Sequence, residues 1–155
     1  MDTITHRKRT LELTVLSLDE LYVDPKLETR NLFVVVRAES IKCYTTGMAT
    51  TGSDYERKPL WNEKLLVEMP THARSITLEV KCKSSCVKDV GVARIALSDF
   101  LGDEVQFLSY RLRDWEGRRS GVLNFSVRVN SIEAKASSDL LLLGVPVGWN
   151  NYTCY

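Results

Sequence analysis

The chain has 155 residues, the size of one domain. Apolar residues make up 44% and charged residues 26%, which supports a packed core and excludes a globally disordered chain. A net charge of +1 excludes a bulk polyelectrolyte ligand and leaves local charge patches to carry function.

The first ten residues, "MDTITHRKRT", hold no apolar run, so no signal peptide is expected. Their basic cluster, His6-Arg7-Lys8-Arg9, reads either as a solvated arm or as an aid to lipid binding. Next, "TLELTVLS" (Thr10–Ser17) alternates, with Leu11, Leu13 and Val15 on one face. "NLFVVVRA" (Asn31–Ala38) is β-branched and nearly continuous, as a central strand is. Weaker strand signals cover Ile41–Thr46 and Trp61–Glu68. "SITLEVK" (Ser75–Lys81) places Ile76, Leu78 and Val80 inward. Val92–Ala96 and Phe107–Arg113 are further weak strands, and Leu97–Asp103 fits one helical turn. "VLNFSVRVN" (Val122–Asn130) places Leu123, Phe125, Val127 and Val129 inward and Asn124, Ser126 and Arg128 outward. Strict alternation marks half-buried antiparallel strands. About eight short strands separated by Gly, Pro and Asp turn signals predict an all-β, eight-stranded antiparallel sandwich. After Ile132 comes the polar linker "EAKASSD" and then an apolar stretch, Leu140–Trp149. The expected division is a domain over 9–131 and a linker with an apolar C-terminal tail over 132–155.

Several chemistries are disfavoured. Cys43, Cys82, Cys86 and Cys154 form no zinc-site spacing, and a reduced, cytosolic chain is expected. The sequons at Asn124 and Asn151 then read as chance matches. Leu140–Trp149 is too short to span a bilayer. It reads either as a segment packed on the sandwich or as one that meets a partner or a membrane surface. The two histidines, His6 and His72, lie near no nucleophile motif, and no glycine-rich phosphate loop occurs, so no enzyme activity is expected. Nucleic acid is not an expected partner.

The order of signals is specific. "LELTVLSLDEL" precedes an extended strand, "KPLWNEKLLVEMP" (Lys58–Pro70) precedes "ITLEVK", and "VGVARIAL" (Val90–Leu97) follows. This resembles a C2 domain, the calcium- and lipid-binding β-sandwich, over roughly residues 9–131. Pro59, Trp61, Asn62 and Glu63 are the most diagnostic residues. "FLSYRLRDWEGRRSGVLNFSVRV" (Phe107–Val129) and "GVPVGW" resemble the small plant C2 proteins associated with copines of the BONZAI type. That resemblance implies binding of anionic phospholipid membranes, a copine-type protein partner, and restraint of plant defence and cell death. It also implies a cytoplasmic protein, peripheral at the plasma membrane. An adaptor that binds a copine-like partner without touching lipid is the alternative.

A C2 calcium site gathers about five aspartates from two loops, because calcium takes roughly six to eight oxygen ligands. By motif order, Asp24 holds the first position and Asn31 the second. Cys82 and Ser84 fall on the Asp-x-Asp pair, and Lys88 or Asp89 on the last position. The implied metal residues are thus Asp24, Asn31 and Asp89, in a degraded site. No cofactor is required, and calcium dependence is weak or lost. Lys81, Lys83 and Lys88 in the same loop either meet anionic lipid directly or are ordinary solvated lysines. Tyr22 and Val23, at the first loop's tip, either enter the headgroup layer or pack beneath the loop. Arg37, Lys42, Arg57, Lys58 and Lys64 form a loose basic cluster on neighbouring strands. Arg111, Arg113, Arg118 and Arg119 read as surface charges offset by Asp114 and Glu116. Trp61 is expected in the core, while Trp115, at a turn, is left open.

Overall fold

A computed structural model describes residues 8–21, 31–51, 58–100, 103–132 and 151–153. The alternating segments form the strands expected of them. They are β1 (Lys8–Asp19), β2 (Leu32–Arg37), β3 (Lys42–Thr45), β5 (Pro59–Met69), β6 (Ser75–Lys83), β7 (Val87–Ala96), β8 (Gln106–Arg113) and β9 (Arg119–Ile132). Two short strands lie outside the sequence expectation: β4 (Thr50–Thr51) beside β5, and β10 (Asn151–Thr153) beside β3. The single helical turn is a 3-10 turn over Leu97–Phe100.

All described pairings are antiparallel, in the order β10-β3-β2-β6-β7-β8-β9-β1-β5-β4. β7 and β8 meet at a single register pair, Val92 with Arg113, so the order folds into two sheets at that seam. The inward residues of β1, β6 and β9 were legible from period two. Leu11, Leu13, Val15, Ile76, Leu78, Val80, Leu123 and Phe125 are fully buried, joined by Val34 and Val36 of β2. Each such side chain contributes about 1.5–3 kcal/mol by leaving water. Ser126 departs from the expectation: it alternates as an outward residue yet is buried. Asn124 keeps its outward place, but its amide is committed. It donates to Ser17 Oγ and Asp19 Oδ2 and accepts from Ser109 Oγ.

The expectation of four reduced cysteines fails at Cys43, which is disulfide-bonded; Cys82 and Cys86 are free. No described helix is long and apolar enough to cross a membrane. The apolar segment Leu140–Trp149 lies outside the described residues.

β7 carries the irregularity that matters for the site. Val80 pairs with Gly91 and Lys81 with Asp89, so Val90 is an extra residue and β7 bulges there. Val90 and Gly91 both turn inward, and a Cβ built on Gly91 would collide with Ser120 Oγ and Leu112 Cβ. Gly91→Val is therefore expected to destabilise the fold by about 1–3 kcal/mol, read as a lower urea midpoint at unchanged slope.

Candidate functional site

Strand direction brings the connections β1–β2, β6–β7 and β8–β9 to one end of the sandwich. β1 ends at Asp19 opposite Val122 near the start of β9, while Leu32 at the start of β2 pairs with Cys82 near the end of β6. Tyr22 and Asp24 lie outside the described residues. Asn31 is described and has a left-handed backbone, φ 61°, which Asn tolerates better than most residues. Its carbonyl accepts from Lys83 N at 3.0 Å and its Nδ2 donates to Lys83 O at 3.2 Å. Asn31 thus staples one loop to the next.

The β6–β7 turn is built from small polar contacts. Ser84 N donates to Cys86 O at 3.1 Å. Cys82, at the first position of the expected aspartate pair, is 2% exposed and belongs to the core. Lys83 and Lys88 stand exposed and form no ion pair with a described residue. Lys81 differs. Its side chain is 22% exposed, with Nζ 3.1 Å from Asp89 Oδ1 and 3.5 Å from Glu79 Oε2. The bulge sets this up, because omitting Val90 from the ladder puts Asp89 directly across from Lys81. The three lysines therefore split: two have no acidic partner among the described residues, and one is held in an internal pair.

Asp89 has a second partner that the sequence did not reveal. Trp115 Nε1 donates to Asp89 Oδ2 at 3.3 Å. On the other side Arg37 Nε stands 3.7 Å from Glu79 Oε1, so a chain of charges runs Arg37, Glu79, Lys81, Asp89 and ends at the indole. Arg37 Nε is buried and has no hydrogen-bond partner at that separation. These residues and Val92 line a cleft of about 440 Å³ on the outer face of the β2-β6-β7 sheet.

Trp115 is 87% exposed and sits on the β8–β9 turn. That turn is tightly closed. Gly117 N donates to Asp114 O at 3.0 Å, and Asp114 N to Arg118 O at 2.9 Å. Asp114 Oδ1 accepts from the backbone N–H groups of Glu116 and Arg118, and the Arg118 guanidinium lies 3.2 Å from Oδ2. Gly117 supplies the positive φ of 77° that the turn requires. The arginines nearby do not all pair as expected. Arg118 pairs with Asp114 and Glu116, but Arg111 and Arg119 make no ion pair with a described residue. With Glu20 these two line a hollow of about 280 Å³ beside Gly121 and Val122. An aromatic inside the polar turn "RDWEGRR" was the available signal for Trp115.

Three of the five residues of the loose basic cluster are paired; Lys64 makes no ion pair with a described residue, and Arg57 lies outside the described residues. Lys58 lies 2.7 Å from Asp19, Lys42 lies 3.4 Å from Glu68, and Arg37 faces Glu79. The Lys58 contact holds the Asp19 carboxyl below its usual value. Trp61 packs against the core and is partly buried.

A family model described as "C2 domain" matches residues 9–112. The chain belongs to the C2 domain family. It is similar to BON1-associated protein 2 of Arabidopsis thaliana, with 36% identity over 132 residues. That match covers 79% of this chain and 62% of the relative, so the chain spans just under two thirds of that protein's length. A C2 domain of plant Extended Synaptotagmin 1 superposes with a TM-score of 0.67 at 16% identity, covering 82% of this chain and 98% of that one. Human GIVD cytosolic phospholipase A2 superposes at 0.65 and 14% identity over 83% of this chain, but over 17% of its own. These last two likenesses concern the fold alone.

A C2 fold implies calcium between its loops. The described residues do not fit that role. At the expected positions they offer one carboxylate, Asp89, already engaged by Lys81 and Trp115, and one uncharged amide oxygen, that of Asn31, whose Nδ2 is bonded to Lys83 O. Among the described residues no three His, Cys, Asp or Glu side chains converge on a metal-sized site.

Asp114 gives this end a pH signature. The backbone N–H of Arg118 foremost, then that of Glu116 and the Arg118 charge, lower its pKa from the ordinary 3.8. A depressed folded pKa contributes stability above the unfolded value that is lost as pH falls through the folded value. The stability difference between the wild type and Asp114→Asn is therefore expected to be constant near neutrality. It should close progressively below about pH 4, as measured by urea unfolding across that range.

Proposed function

We propose that this C2 domain docks on anionic phospholipid membranes through the loop end that carries Lys83 and Lys88, without requiring calcium. The observation that carries the reading is the state of those two lysines: exposed, at the end of the sandwich, with no acidic partner among the described residues. In a calcium-dependent C2 domain the ion supplies the positive charge that meets lipid phosphate. Here ammonium groups supply it directly, at about 1 kcal/mol each near an anionic surface. Lys81 serves the internal charge chain rather than the lipid. Tyr22, beside it in the expected docking set, remains a candidate for the headgroup layer. Asp24, the first expected calcium position, lies outside the described residues.

Resemblance to BON1-associated protein 2 supports a second reading. In it the domain is a non-catalytic adaptor for a copine-type partner at the cytoplasmic face of the plasma membrane, acting in restraint of plant defence and cell death. The two readings are compatible, and they separate by experiment. Co-sedimentation with phosphatidylserine vesicles is run in millimolar calcium and in chelator. Equal binding in both supports direct lysine contact. Binding confined to calcium overturns it, and binding in neither leaves the adaptor. Lys83→Gln with Lys88→Gln is expected to weaken vesicle binding about 30-fold while leaving partner binding intact.

A further inference from the structure

We infer that the β8–β9 turn is a second element of the docking surface, with Trp115 entering the headgroup layer of an anionic membrane alongside Lys83 and Lys88 of the neighbouring strand ends and Arg111 and Arg119 of its own hairpin. This deepens the docking reading above and rests on it. β8 runs antiparallel to β7 and ends at Arg113, so its turn emerges at the same end as the β6–β7 turn. Lys83 ends β6 and Lys88 is the second residue of β7, while Arg111 lies near the end of β8 and Arg119 begins β9. None of the four forms an ion pair with a described residue. The acids within the turn, Asp114 and Glu116, are both answered by Arg118. Glu20, which lines the hollow with Arg111 and Arg119, is an acid without an ion pair to a described residue, and the four cations outweigh it, which complements lipid phosphate.

The ring itself is presented rather than merely exposed. An indole is favourable at a membrane interface, where its apolar body is covered and its N–H stays among polar groups. The turn beneath Trp115 is closed by backbone bonds and by the Asp114 carboxylate, and the indole N–H is fixed to Asp89 on β7. Ordering costs that a free loop would meet on binding are thereby met in folding. Asp89, a calcium position by motif order, acts here as the positioning residue for the anchor. Exposed Val87, the first residue of β7, adds apolar surface to the same end.

The test uses the full chain and phosphatidylserine vesicles in chelator, with lipid brominated near the headgroup. The wild type should bind, and its tryptophan fluorescence should be quenched. Trp115→Ala should bind about tenfold more weakly and lose the quenched component. Trp115→Phe should keep most of the affinity, because the ring is conserved in kind. Arg111→Gln with Arg119→Gln should weaken binding further in either background. Equal thermal midpoints for wild type and Trp115→Ala exclude a folding effect, as the side chain is exposed. If the wild type binds and Trp115→Ala binds equally, or if quenching persists in Trp115→Ala, the inference fails while lysine docking stands. A wild type that ignores vesicles overturns both. Loss of a copine-type partner in Trp115→Ala, with vesicle binding unchanged, assigns the turn to a protein surface and likewise overturns it.

Discussion

The bulge in β7 decides what the loop end of this protein can hold. Without it, Asp89 would sit one position out of phase with Lys81, because strand side chains alternate faces with a period of two. The extra residue, Val90, removes that offset and places carboxylate beside ammonium. The charge chain of this end follows from that contact. Lys81 is withdrawn from solvent, Glu79 and Arg37 extend the chain inward, and the second oxygen of Asp89 is left to receive Trp115. A carboxylate already shared by an ammonium and an indole has little to offer a divalent ion. Displacing those partners would cost what they contribute before any metal bond formed.

Charge placement in this fold separates structure from function more sharply than charge count does. Lys42, Lys58, Lys81 and Arg118 each stand against an acid, and their charges cancel locally. Exposed pairs of this sort contribute little stability, commonly below about 1 kcal/mol. Their larger effect is on the field. They silence the strands and leave Lys83, Lys88, Arg111 and Arg119 as the cations without a described partner at the loop end. A chain with net charge +1 can thus present a locally positive end without being basic overall.

The fold was legible because period two needs no tertiary information. β1, β6 and β9 and their inward residues follow from alternation alone, and the diagnostic stretch around Trp61 gave the family. What escaped was set by contacts between strands. β7 begins at Val87 rather than Val92 because its first three residues are all exposed, which erases the alternation. β4 and β10 are two and three residues long, too short to carry a pattern. Lys81 looked as free as Lys83 because its partners are Glu79, two residues back, and Asp89, brought opposite by a bulge. Trp115 was left open since a turn's position in sequence does not say which end of a sandwich it reaches. The expected sites at Tyr22 and Asp24 fall outside the described residues, so of the first loop's expected calcium positions only Asn31 is accounted for.

The second loop suggests how such a site changes role while keeping its geometry. A calcium site concentrates carboxylates that repel one another until the ion arrives, so it is a switch by construction. Here Cys82 faces the core, Asn31 is turned into a staple between loops, and Asp89 is satisfied by a lysine and an indole. At the expected calcium positions that are described, no uncompensated negative charge remains to be relieved by an ion. The repulsion that makes a switch has been replaced by hydrogen bonds that make a fixed surface. Under the proposed docking mode, occupancy of the membrane then follows the lipid's own charge density and the ionic strength rather than a calcium transient.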